Sequence, residues 1–192
     1  GGTVAMSSNN TYSGGTIIDS TSKAGLLIAA YTGLGTGTFT ANQSLLAGSG
    51  TTPGGGFMVG SDLPGNATDP DGVTNSFVIN AGKFLNVHCT NASTSLRLGG
   101  EISGGGTLNK WRNDSILILS GNNSYSGGTI VADGTLVSES VNSLGTGPIT
   151  VPSGALLQLD FVGSINVATL TIDGSAVANG TYGSSASPAE HQ

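Results

Sequence analysis

Charge is the scarcest property of this chain: 8% of its 192 residues are charged, and Lys and Arg together number five. Five cations against eleven acids leave a net charge of −6. Such a chain cannot neutralise a run of phosphates, which excludes nucleic acid as a partner and disfavours docking on anionic membranes. A single cysteine, Cys89, excludes an internal disulfide framework and a cysteine-based zinc cluster. No apolar run approaches the ~18 residues of a membrane-spanning helix, and no charged n-region followed by an apolar h-region opens the chain. It begins at Gly1 rather than Met, so a mature or excised segment is expected. Aromatics make up only 5%, too few to fill a compact globule with large core side chains.

Glycine is abundant, at 33 residues, and the apolar fraction is 36%. A disordered chain would have fewer aliphatics and a larger net charge. The length suits one domain over 1–192, and a core made by stacking many small aliphatic side chains fits the composition. Abundant Asn, Thr and Ser with little Lys lead us to expect an extracellular or bacterial outer-surface location.

The chain contains an internal repeat. Asn9-Asn10-Thr11-Tyr12-Ser13-Gly14-Gly15-Thr16-Ile17-Ile18 returns as Asn122-Asn123-Ser124-Tyr125-Ser126-Gly127-Gly128-Thr129-Ile130-Val131, identical at eight of ten positions. Further on, Gly33-Leu34-Gly35-Thr36-Gly37 pairs with Ser143-Leu144-Gly145-Thr146-Gly147, and Gly1-Gly2-Thr3-Val4 echoes Gly105-Gly106-Thr107-Leu108. The repeats occupy about 1–47 and 100–165. Between them, from about 48 to 75, Pro53, Gly54-Gly55-Gly56, Pro64 and Asp69-Pro70-Asp71-Gly72 read as an irregular loop excursion.

Short apolar runs such as Ile116–Leu119, Ile130–Val131, Leu136–Val137 and Ile149–Val151 are separated by turn formers, among them Ala132-Asp133-Gly134 and Pro152-Ser153-Gly154. Apolar residues at helical spacing are missing, which predicts almost no helix. Hairpin dipeptides are few and the repeat is far longer than a hairpin, so an all-β parallel β-helix is favoured over a sandwich. At roughly 20–25 residues per coil the chain would make about eight or nine coils.

Ile102-Ser103-Gly104-Gly105-Gly106-Thr107-Leu108, then Leu117-Ile118-Leu119-Ser120-Gly121-Asn122-Asn123-Ser124-Tyr125-Ser126-Gly127-Gly128-Thr129, then Asp133-Gly134-Thr135-Leu136 and Ser143-Leu144-Gly145-Thr146-Gly147 resemble the autotransporter-associated β-strand repeat. The resemblance is close over about 100–165 and shorter over 1–40. It implies a right-handed β-helix from the passenger of a bacterial autotransporter or a large repetitive surface protein, in a stalk or adhesin role without catalytic residues. Lys110-Trp111-Arg112-Asn113-Asp114 stands where the family has a Gly-rich turn. The segment Leu170–Gly174 with Gly180-Thr181-Tyr182 looks like the end of such an array, without its closing strand. Open ends would stack on copies of the chain or on neighbouring repeats.

Candidate sites are few. Asp69 and Asp71, with Asn66, could ligate calcium, although Asp-Pro-Asp-Gly also makes a good turn, and we assign no metal or cofactor. Trp111 between Lys110 and Arg112 could stack on a sugar ring or plug the gap left by the missing glycines. His88 and Cys89 could serve as base and nucleophile. They are strand neighbours, however, so one should face the core and the other solvent. Asp19, Asp133, Asp160 and Asp173 do not converge as a polysaccharide lyase or hydrolase requires. The Thr-x-Thr words at Thr36–Thr40 and Thr169–Thr171 lack the single period of an ice-binding array, and sequons such as those at Asn9 and Asn122 are expected by chance. The reading is a non-enzymatic structural stalk, adhesin or filament subunit. The alternatives are a glycan-binding module using surface glycans, Trp111, Asp69 and Asp71, or a polysaccharide-acting enzyme.

Overall fold

The computed structural model describes residues 3–20, 25–44, 57–59, 72–89, 94–112 and 115–180. Strands β1 (Thr3–Met6), β2 (Thr16–Ser20), β3 (Gly25–Ile28), β4 (Phe39–Gln43), β5 (Phe57–Val59) and β6 (Phe77–Ile79) form the first part. Then come β7 (Phe84–Cys89), β8 (Ser95–Leu98), β9 (Ile102–Gly104), β10 (Thr107–Lys110), β11 (Ile116–Leu119) and β12 (Thr129–Val131). The last are β13 (Thr135–Ser138), β14 (Ile149–Val151), β15 (Leu156–Leu159), β16 (Leu170–Ile172) and β17 (Ser175–Ala176). Among the described residues the only helical element is a 3₁₀ turn at Tyr31–Leu34, in keeping with the expected scarcity of helix.

The strands lie in parallel ladders. One sheet runs β1-β3-β5-β7-β10-β12-β14-β16 with β2, β4, β6 and β9 branching from it, and a second runs β15-β13-β11-β8. Each strand pairs with a strand one turn away in sequence, which makes a parallel β-solenoid. Two-residue hairpins cannot join parallel neighbours, so every strand must leave its sheet and return through a turn. That geometry accounts for the Gly- and Asn-rich punctuation. Two of the pairings are antiparallel: β17 turns back on β16 through Asp173-Gly174, where both residues have positive φ, and β4 meets β7 at the single pair Gln43–Phe84.

The solenoid makes about six turns, fewer than the eight or nine expected from its length. The step between stacked residues is not uniform. Asn42 bonds Asp19 across 23 residues, Asn109 bonds Asn86 across 23, and Ile102 bonds Asn123 across 21, but Asn80 reaches Asn42 across 38. One turn therefore carries far more chain than the others. Within the stretch read as an excursion, β5 returns to the ladder between β3 and β7, and Val73 bridges to Leu98. Residues 45–56 and 60–71 lie outside the described residues.

The core runs along the axis as columns of aliphatic side chains. Leu96, Leu117 and Leu136 occupy one register of the second sheet and are at most 1% exposed. Phe39, Phe77 and Ile102 form another column, with the two phenylalanine rings 5.2 Å apart. Alternation along most strands places the intervening residues outward, as in Ile116–Leu119 and Thr135–Ser138.

Candidate functional site

The repeated Asn-Asn-x-Tyr-Ser-Gly-Gly-Thr block builds the same corner twice. The Tyr12 hydroxyl lies 2.7 Å from Thr16 Oγ1, and the Tyr125 hydroxyl 2.6 Å from Thr129 Oγ1. Burial pushes the Tyr125 phenol well above its ordinary pKa. Asn10 donates through Nδ2 to the Gly33 carbonyl at 2.7 Å. Asn123 accepts from the Ile102 N–H at 2.8 Å and donates to the Ser143 carbonyl at 2.6 Å, so its one amide joins three successive turns. Asn75 fills a comparable place, donating to the carbonyls of Gly35 and Gly37. The Leu-Gly-Thr-Gly words supply the opposite wall. Gly35 and Gly145 have φ of 61° and 65°, and a Cβ on either would run into the carbonyl oxygen of Tyr12 or Tyr125.

Polar side chains also stack inside the wall. Asn109 donates to Asn86 Oδ1 at 2.8 Å, and Asn86 donates to Gln43 Oε1 at 3.5 Å, all three side chains being buried. On the outside, Asn42 donates to Asp19 and Asn80 to Asn42. Arg97 forms a two-bond pair with Glu139, reaching past β11.

The densest collection of reactive residue types is at β7 and the turn after β10. The sequence places one of His88 and Cys89 outward, but both are 1% exposed. The reason is Trp111, whose ring covers His88 with centroids 4.7 Å apart. At 5% exposed, Trp111 has its ring in the core rather than offered to a sugar, so it takes the packing alternative. Lys110 is fully buried, and its Nζ donates to the carbonyls of Asp133 at 2.9 Å and Arg112 at 3.4 Å. Burial pushes the Cys89 thiol up, although hydrogen bonds from Thr94 and Ser115 and the charge of Lys110 act the other way. A thiol held neutral in this way is a poor nucleophile. Burial, then the charges of Arg112 and Lys110, lower the His88 pKa from 6.5 to about 4. The Lys-Trp-Arg replacement of a glycine turn was visible in the sequence as a plug, but not that His88 is what Trp111 covers.

Asp69, Asp71 and Asn66 lie outside the described residues. Among the described residues, no three His, Cys, Asp or Glu side chains gather as metal ligands, and no helix is long and apolar enough to cross a membrane. Asp19 is committed to the external amide ladder, and the Asp133 carbonyl to Lys110. A cavity of about 360 Å³ opens at the last described turn, lined by Ile149, Leu157, Leu159, Phe161, Leu170 and Val177. Ser164, Asn166, Thr169 and Asn179 add polar groups to this lining, and none of the lining side chains is titratable.

Residues 1–20 and 114–137 match the passenger-associated-transport-repeat family. Over 76 residues, 38% of this chain, the sequence is 40% identical to the adhesin BmaC autotransporter of Brucella suis biovar 1 (strain 1330). The chain spans only 2% of that protein's length. No solved structure matches it.

Proposed function

This chain carries the repeats of autotransporter passengers, and from that premise we propose that it is a non-enzymatic structural segment of a bacterial surface protein, an adhesin-like rod that holds loops away from the cell. The observation that carries this reading is the continuous parallel ladder β7-β10-β12-β14-β16, with its interior committed to aliphatic columns and amide ladders. A rod of this kind gains stiffness from every added turn and needs no reacting groups. We take its winding to be right-handed, since crossovers between parallel strands are so in nearly all cases.

Neighbouring repeats or a second copy are the partners we propose for the ends of the ladder. Inward columns finish on exposed apolar residues at both ends. Val4, in register with buried Leu26, is 61% exposed, Leu159 beyond buried Ser138 is 46%, and Ile172 beyond Val151 is 44%. A further strand on β15 would extend the second sheet and cover Leu157 and Leu159.

The test is to display the 192-residue chain on a non-adherent bacterium, and to assay the purified chain on pectin, alginate and peptidoglycan fragments. Surface exposure with no turnover is expected. Turnover of any of these substrates would overturn the structural reading. A concentration-independent monomer in light scattering would remove the stacking.

A further inference from the structure

From Leu85 to Cys89 every side chain of β7 is buried, so this strand has no solvent face. His88 carries the consequence. It is 1% exposed, and neither ring nitrogen has a hydrogen-bond partner. The indole N–H of Trp111, tilted 60° against it, also lacks an acceptor. Native interiors rarely keep such groups without a reason.

Burial and the charges facing the imidazole disfavour a proton on it, and the remaining titratable neighbour is neutral. β10 contributes the buried Lys110, the following turn contributes Arg112, and β7 contributes Cys89, whose thiol stays neutral. Val59 of β5 pairs with Cys89 in register and carries no charge, and Ser115 ahead of β11 is uncharged. Among the described residues no carboxylate acts on His88. The covering turn also holds a strained residue. Arg112 has φ of 67°, in the left-handed region that a bulky side chain leaves readily. Arg112 is itself exposed.

We propose that His88 is an acid-sensitive latch: a proton on its ring sets a third positive charge against Lys110 and Arg112, releases the Trp111–Arg112 turn from the wall, and uncovers the indole. This inference rests on the fold and is independent of any adhesive role.

The open chain takes its proton near pH 6.5 and the closed one near 4. The closed turn therefore loses stability as pH falls below about 6.5, and the loss is complete below about 4. Across that window the closing equilibrium weakens by roughly two to three powers of ten.

Trp111 is the chain's one tryptophan, so its fluorescence reads the latch directly. On acidification from about pH 6.5 to 4, the emission should move reversibly to longer wavelength while the far-ultraviolet β spectrum stays unchanged. His88→Phe and His88→Gln should both hold the neutral-pH emission throughout that window. The same transition in both variants would assign it to carboxylates and overturn the proposal, as would an unshifted wild-type spectrum. Should the variants fail to fold, imidazole NMR on the wild type decides. One imidazole signal should titrate near pH 4. The absence of any such titration would overturn the latch.

Discussion

The Tyr125 hydroxyl bonds Thr129 inside the core, where Tyr125 is 0% exposed, while its counterpart Tyr12 makes the same bond to Thr16 in a partly exposed corner. Two copies of one contact at different depths form an internal experiment. Tyr125→Phe should cost about 1 kcal/mol, lowering Tm by roughly 2–4 °C. The Thr129 hydroxyl keeps the Leu144 carbonyl at 3.2 Å, which limits the loss. Tyr12→Phe should cost less, because water can replace the lost partner. Thermal unfolding of the two variants checks the order, and a larger loss at Tyr12 would contradict it.

Gly145→Ala should be far more damaging than Gly154→Ala. Both have positive φ, 65° and 85°, so each substitution carries a backbone cost of about 1 kcal/mol or more. Only Gly145 faces an immovable obstacle, the Tyr125 carbonyl, whereas nothing lies near a Cβ on Gly154. Urea denaturation should give a difference of at least about 2 kcal/mol between them. Equal losses would mean that the corner has room the geometry denies.

Arg97 and Glu139 are held in a two-bond fork with 18% and 29% of their side chains exposed. Glu139→Gln should destabilise by about 1 kcal/mol at low salt. The difference from wild type should shrink in molar sodium chloride as the wild-type pair is screened. An unchanged difference would assign the effect to packing.

Cys89 should resist thiol reagents in the folded protein. It is 1% exposed, with burial raising its pKa, so little thiolate is present and little of it is reachable. Labelling with a disulfide reagent should be at least about a hundredfold slower than in urea-unfolded chain. Comparable rates would show that the β7 region opens freely.

The repeat was legible because the corner needs particular atoms. Asn123 needs an amide to accept from the N–H of one turn and donate to the carbonyl of another, Tyr125 needs a hydroxyl, and Gly145 must lack a side chain, so the same letters return at the same places. Strand positions were legible for the same reason, since glycine and asparagine mark each departure from the sheet. The turn count was not, because nothing in the residues between Gln43 and Phe77 says how much chain one turn absorbs. The buried polar interior was also hidden. Alternation put only one of His88 and Cys89 inside, whereas Asn86, His88, Asn109 and Lys110 are all buried, His88 under Trp111, Asn86 and Asn109 in the amide stack, and Lys110 on the Asp133 carbonyl. Both candidate acids of the sugar- or calcium-binding reading, Asp69 and Asp71, lie outside the described residues.

The stack of Gln43, Asn86 and Asn109 bears on how a long repetitive chain avoids folding errors. Aliphatic columns are nearly interchangeable, so a rung that docks one turn too early still buries its leucines. An amide placed opposite leucine in such a mispaired rung would lose its bonds in a dry interior, a penalty of a few kcal/mol. Only the correct neighbour completes the stack. The three amides therefore act as an address written into an otherwise anonymous core, telling each rung which one it must follow.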